Sequence, residues 1–186
     1  PVLDRMQLQL SRSGISETHF TKAPDITWLI KNIKNIVNQN FEGEYILLFP
    51  FCSPKLKRKK WPHYQDLISL LKREYGPKYN IAIAPGPTEI EEAKEFKAHT
   101  ILNNGIPLNI SELVSLIKNA SYIVSNDTGP AHICAHLNKK GLVLFGSHTT
   151  PEKVSIETEN FKSIKTKNLK NLNVADVFEK VKESLN

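Results

Sequence analysis

No apolar run in this chain is longer than a strand. A segment such as Tyr45 to Pro50 falls far short of the roughly 20 residues that a membrane-spanning helix needs. No signal peptide is visible. Cysteine is scarce: Cys52 and Cys134 lie far apart in apolar surroundings, too few for a disulfide framework, so a reducing cytoplasm is expected. Metal motifs are missing as well. There is no HExxH, no CxxC and no Asp-x-Asp cluster to hold a divalent ion. His132 and His136 share a helix face, but no third ligand follows at matching spacing, so no metal is expected. Aromatics make up only 8% and do not interleave with the basic residues as stacking platforms would, which argues against nucleic acid. An initiating Met is also lacking. The chain starts at Pro1 and reads as a fragment or a processed product.

What is present suits one soluble domain with a real core: 186 residues, 40% hydrophobic and 24% charged. The net charge of +6 fits an anionic ligand. Leu3, Met6 and Leu10 mark a helical face that Gly14 ends, and Asp25 caps a second helix carrying Ile26, Leu29, Ile30, Ile33, Ile36 and Val37.

From Tyr45 onward, short apolar runs alternate with amphipathic helices. Strands are predicted at 45–49, 79–84, 99–102, 122–125, 142–145 and 161–164. Helices are predicted to start near Pro62, Glu89, Asn109, Pro130 and Asn173. Strands separated by helices imply a parallel sheet covered on both faces. The expected fold is a doubly wound, Rossmann-like α/β domain over 41–186, with residues 1–40 as a lead-in.

Ligands of such sheets bind outside the carboxyl ends of the strands, where the unusual residues collect. Asp127, Thr128 and Gly129 sit between a strand and a helix, where exposed amides and the positive helix end attract phosphate. The same residues also make an ordinary helix N-cap. Asp127 either orients amides or accepts hydrogen bonds from sugar hydroxyls. Among Lys55, Lys57, Arg58, Lys59 and Lys60, at least one lysine is expected to lie over the rim and neutralise phosphate. Glu91 follows Thr88 at capping-box spacing, which leaves Glu89 as the freer carboxylate for a ribose hydroxyl. His132 is read as a phosphate or sugar contact, His136 as packing or surface, and Cys134 as core.

Two motifs carry a family resemblance. Ser-Asn-Asp-Thr-Gly-Pro-Ala-His at 125–132 runs on through a short helix to Phe145-Gly146, and Lys59-Lys60-Trp61-Pro62 follows the first strand of the domain. The chain from about Tyr45 to Pro151 resembles glycosyltransferase family 9, the ADP-heptose:lipopolysaccharide heptosyltransferases and their relatives. The resemblance implies one half of a two-domain GT-B enzyme that binds a nucleotide-sugar donor, ADP-heptose, with no tightly bound cofactor. It implies that Asp127, Thr128, Gly129 and His132 contact the donor's diphosphate and sugar, and that Lys59 pairs with phosphate. Glu89 or Glu91 would hold the ribose, Leu108 would present backbone to adenine, and Ser53 lies in a phosphate loop. The acceptor, an envelope glycolipid, and the catalytic base of an inverting attack would belong to an N-terminal domain, which leaves the catalytic residues unassigned here. The setting would be cytoplasmic, with peripheral contact at the inner membrane. Two departures stand out: Pro50-Phe51-Cys52 replaces the family's Pro-Gly, and Lys139-Lys140-Gly141 replaces its Lys-Pro. Rival readings are a nucleotide-sugar epimerase-like enzyme on the same scaffold and a non-catalytic nucleotide-binding module. Lys-Lys-Trp-Pro favours the transferase over the epimerase.

Overall fold

The computed structural model describes residues 2–15 and 24–185. Six strands form one sheet in the order β3-β2-β1-β4-β5-β6, all parallel. They are β1 (Tyr45–Phe49), β2 (Asn80–Ile83), β3 (His99–Thr100), β4 (Tyr122–Asn126), β5 (Gly141–Phe145) and β6 (Phe161–Lys165). The expected doubly wound fold is therefore present, with the strand order typical of dinucleotide-binding sheets.

Strand periodicity makes two cores. Ile46, Leu48, Ile81, Ile83, Val124, Leu142 and Leu144 face one side, under α3 (Tyr64–Tyr75) and α8 (Val174–Leu185). Leu47, Phe49, Ala82, Ile123, Val143 and Phe145 alternate with them and face α5 (Ile110–Asn119) and α6 (Gly129–His136). Each full burial of a large apolar side chain contributes about 1.5–3 kcal/mol, so strands apolar on both faces are held at the centre. Tyr45 adds a polar tie, donating its hydroxyl to Leu116 O at 2.7 Å. Gly141 stands where β5 enters the sheet. A Cβ there would lie 2.6 Å from Ile123 O and 2.8 Å from Phe161 Cε2, so the close strand approach requires glycine.

Local capping follows the sequence closely at α5. Asn109 and Glu112 form a reciprocal capping box. Near the amino end, α1 (Val2–Arg12) stops at Gly14, whose φ of +82° suits glycine. Met6 and Leu8 on α1 are exposed.

Several predicted elements are corrected. The single helix expected from Asp25 is broken into a 3₁₀ turn at Thr27–Leu29 and the short α2 (Lys34–Asn38). Asp25 Oδ1 accepts from Thr27 N (2.8 Å) and Thr27 Oγ1 (2.6 Å), Ile30 is extended, and Lys31 N donates to Ser115 Oγ (2.7 Å). Side-chain competition for the backbone, together with a β-branched sequence, defeats the helix. Ile33 and Val37 nevertheless enter the core beside α5. The helix expected from Glu89 is only the four-residue α4 (Ile90–Ala93), and the one expected at Pro62 begins at Tyr64. An unexpected short helix, α7 (Pro151–Val154), is capped by Thr150. Among the described residues, no helix is long and apolar enough to cross a membrane.

Candidate functional site

The strand order reverses between β1 and β4, and a cavity of about 370 Å3 opens there outside the carboxyl ends. Phe51, Cys52 and Ser53 after β1, Pro85, Gly86 and Glu89 after β2, and Thr128, Gly129 and Pro130 at the start of α6 line it. Phe49, Ala84, Leu108 and Leu113 give it an apolar wall. Thr128 is the N-cap of α6 but makes no side-chain cap bond, so the positive end of that helix faces the cavity uncapped. Polar groups on one side and an apolar wall on the other suit a ligand with a charged and a flat apolar part.

Beside the cavity lies a charged cluster centred on Asp127, whose side chain is only 2% exposed. Lys59 Nζ donates to Asp127 Oδ2 at 2.7 Å and to Asp127 O at 3.1 Å. His148 Nε2 lies 2.9 Å from the same Oδ2. A carboxylate can only accept, so Nε2 carries the proton. His148 Nδ1 is buried with no hydrogen-bond partner among the described residues, and the ring stacks on Phe145. His132 Nε2 is 3.8 Å from Asp127 Oδ1. Burial lowers the pKa of His132, with His136 and Lys59 acting in the same direction and Asp127 opposing, so the ring is mainly neutral at neutral pH. The Lys59 ammonium occupies the place beside Asp127 that a cation would take, and no group of three or more His, Cys, Asp or Glu among the described residues is arranged to hold a metal.

The scaffold behind the cluster explains its position. Asn126 is fully buried at the end of β4. Its Oδ1 accepts from Trp61 N (3.1 Å), and its Nδ2 donates to Pro50 O (2.9 Å). Trp61 is itself fully buried and donates its indole N–H to Leu172 O at 2.9 Å. The basic segment is thus clamped at Trp61, which fixes Lys59 two residues earlier.

Of the residues singled out in the sequence, Ser53, Glu89, Leu108, Thr128 and Gly129 line the cavity, and Lys59, Asp127 and His132 form the adjoining cluster. Glu91 stands apart: it is exposed, pairs with Lys94 at 2.7 Å, and lines no part of the cavity. No capping box forms from Thr88. Instead Glu89 Oε2 accepts from Gly86 N at 2.8 Å, and burial raises the Glu89 pKa. Cys134 is buried as expected. Two residues were missed by sequence reasoning, His148 and Asn126. His148 stands two residues beyond Phe145-Gly146, so its rim position was legible. Its contact with Asp127, 21 residues away, was not.

The family model for glycosyltransferase family 9 (heptosyltransferase) matches residues 7–182. Lipooligosaccharide heptosyltransferase 2 of Haemophilus influenzae is 32% identical over 105 residues, covering 50% of this chain and 29% of that protein. Among solved structures, E. coli heptosyltransferase WaaC with ADP-2-deoxy-2-fluoro heptose matches with a TM-score of 0.67 at 21% identity, covering 95% of this chain and 53% of the other. E. coli ADP-heptose lps heptosyltransferase II matches with a TM-score of 0.67 at 21% identity, over 81% of this chain and 50% of the other. The chain thus spans about half the length of these solved structures and less of the curated relative.

Proposed function

Because the chain belongs to glycosyltransferase family 9 (heptosyltransferase), we propose that it binds the nucleotide-diphosphate-sugar donor of an inverting heptosyl transfer, ADP-heptose, in the cavity at the β1/β4 reversal. The observation that carries this reading is the Lys59–Asp127 pair set beside the uncapped amino end of α6. The diphosphate lies against Thr128 and Gly129, where backbone amides and the helix end favour negative charge. Lys59 supplies a point charge and Ser53 a hydroxyl. His132 meets the sugar side of the diphosphate. The nucleoside runs along the apolar wall, with adenine at Leu108 and a ribose hydroxyl on Glu89. Glu91 has no role in this reading.

Transfer requires an acceptor hydroxyl in line with the donor carbon and a base within hydrogen-bond reach. In this reading, residues 41–186 are the donor unit and residues 1–40 the lead-in. The acceptor, a lipopolysaccharide core glycolipid, and the base are held by a second domain. The setting is the cytoplasmic side of the inner membrane, with peripheral contact. Family membership weighs against the epimerase reading, and an inert module is separated by assay.

Calorimetry with ADP, UDP and EDTA tests the donor assignment. ADP is expected to bind more tightly than UDP and to keep its affinity in EDTA, since Lys59 and α6 handle the charge. No ADP binding would overturn the reading, and a strict need for magnesium or manganese would overturn its account of the phosphates.

A further inference from the structure

A second cavity, of about 420 Å3, lies on the same rim and shares no lining residue with the first. Lys57, Arg58, Lys60, Lys167 and Lys170 line it, and no acidic residue does. Lys60 is engaged by Glu92 at 2.6 Å. The other four make no ion pair among the described residues.

This is not a charge run read as a site, because the fold brings the cations together from both ends of the domain. Lys57, Arg58 and Lys60 belong to the segment clamped by buried Trp61. Lys167 precedes and Lys170 lies within the turn Leu169–Asn171, whose Leu169 is buried and whose N-cap Asn168 accepts at Oδ1 from Lys170 N at 3.0 Å. His63 Nε2 lies 3.2 Å from Lys170 O and ties the turn to the start of α3. The two anchored segments meet across Gly146, where a Cβ would touch both Arg58 O (3.5 Å) and Leu169 Cγ (3.4 Å). Holding like charges around a hollow without carboxylates costs stability unless an anion resolves it. A hollow lined by cations from two segments suits a discrete multivalent anion.

We propose that this cavity is a second anion site, which takes a phosphate or carboxylate projecting from the glycolipid acceptor while the second domain holds the rest of it. The assignment to the acceptor rests on the donor reading above; the anion site itself does not. It lies on the donor's rim, on the β5–β6 side of the Asp127 cluster, and would hold a charged group of the acceptor beside the sugar end of the donor.

The test is calorimetry with inorganic pyrophosphate on the full 186-residue chain, with and without saturating ADP. Pyrophosphate is expected to bind with ADP in place. A Lys167→Ala/Lys170→Ala variant is expected to lose about tenfold or more of that affinity, as removal of charge-assisted hydrogen bonds implies, while its ADP affinity stays unchanged. Phosphatidylcholine vesicles carrying a phosphorylated glycolipid should displace pyrophosphate better than vesicles of matched charge carrying phosphatidylglycerol. If ADP excludes pyrophosphate, or the variant binds it as the wild type does, the proposal is overturned. Equal displacement by both vesicles overturns the acceptor assignment in favour of general attraction to an anionic surface. Absence of ADP binding counts against the donor reading alone, because the pyrophosphate arm without ADP still tests this site.

Discussion

Lys59 Nζ and Asp127 Oδ2 are 2.7 Å apart although 68 residues separate them in sequence. A nearly buried carboxylate beside the proposed donor phosphates is electrostatically out of place unless it does something other than touch them. Here its Oδ2 holds both Lys59 and His148. The pair leaves Lys59 partly exposed, with 22% of its side chain open to solvent, and therefore able to share its ammonium with a ligand.

Lys59→Ala is expected to weaken ADP binding by about 1.5–3 kcal/mol, the range for a charge-assisted hydrogen bond. It should also lower stability, because Asp127 loses a partner while staying buried. Calorimetry and urea unfolding measure the two effects separately. Unchanged ADP affinity would remove Lys59 from the site.

His148→Ala is expected to cost about 1–3 kcal/mol of stability by leaving Asp127 under-satisfied. ADP affinity should fall as well, although His148 lines no part of the cavity. His148→Gln, whose amide can still donate to Asp127, should recover part of both losses. If both variants bind and unfold like the wild type, the His148–Asp127 bond carries nothing.

His132 gives a pH signature. Its folded pKa is lowered by burial, so the unfolded chain takes up this proton first, near the ordinary value of about 6.5. The His132 contribution to stability therefore falls as pH drops through and below that value, and is unaffected above it. Binding has the opposite sign: an anionic donor favours the protonated ring, so affinity should rise as pH falls through the same window. An ADP-sugar is the right probe, because its diphosphate has no proton to lose near neutrality. Titrations of wild type and His132→Gln should diverge only at acid pH, and parallel pH profiles would show that His132 does not meet the donor.

Gly141→Ala is expected to destabilise the fold by about 1–3 kcal/mol through overpacking, because the new methyl group would meet Ile123 O and the Phe161 ring. Thermal unfolding reads this directly. The folded fraction should still bind ADP normally, since the clash lies at the amino end of β5, away from the rim.

Much of the fold was legible because its signals are local. Tyr45–Phe49 is apolar throughout and long enough only for a strand, and Asn109 with Glu112 is a capping pattern that needs no tertiary support. The segment from Asp25 shows where that reasoning fails. Its apolar spacing is helical, yet Ser115 on α5 takes the Lys31 amide and the chain extends at Ile30. Glu91 shows the same limit at the site, since spacing that suited a capping box with Thr88 became an exposed pair with Lys94.

The sequence by itself determined the strand–helix alternation, the rim on which the polar loops gather, and the family, because periodicity, capping and motif spacing act over a few residues. Only the tertiary structure decided that Asp127 serves Lys59 and His148, that Asn126 and Trp61 clamp the basic segment, and that Lys57 and Lys170 line one cavity. Those contacts join residues tens to more than a hundred positions apart. They depend on which strands become neighbours in the sheet, and that order is set by burial of the whole core rather than by any local pattern.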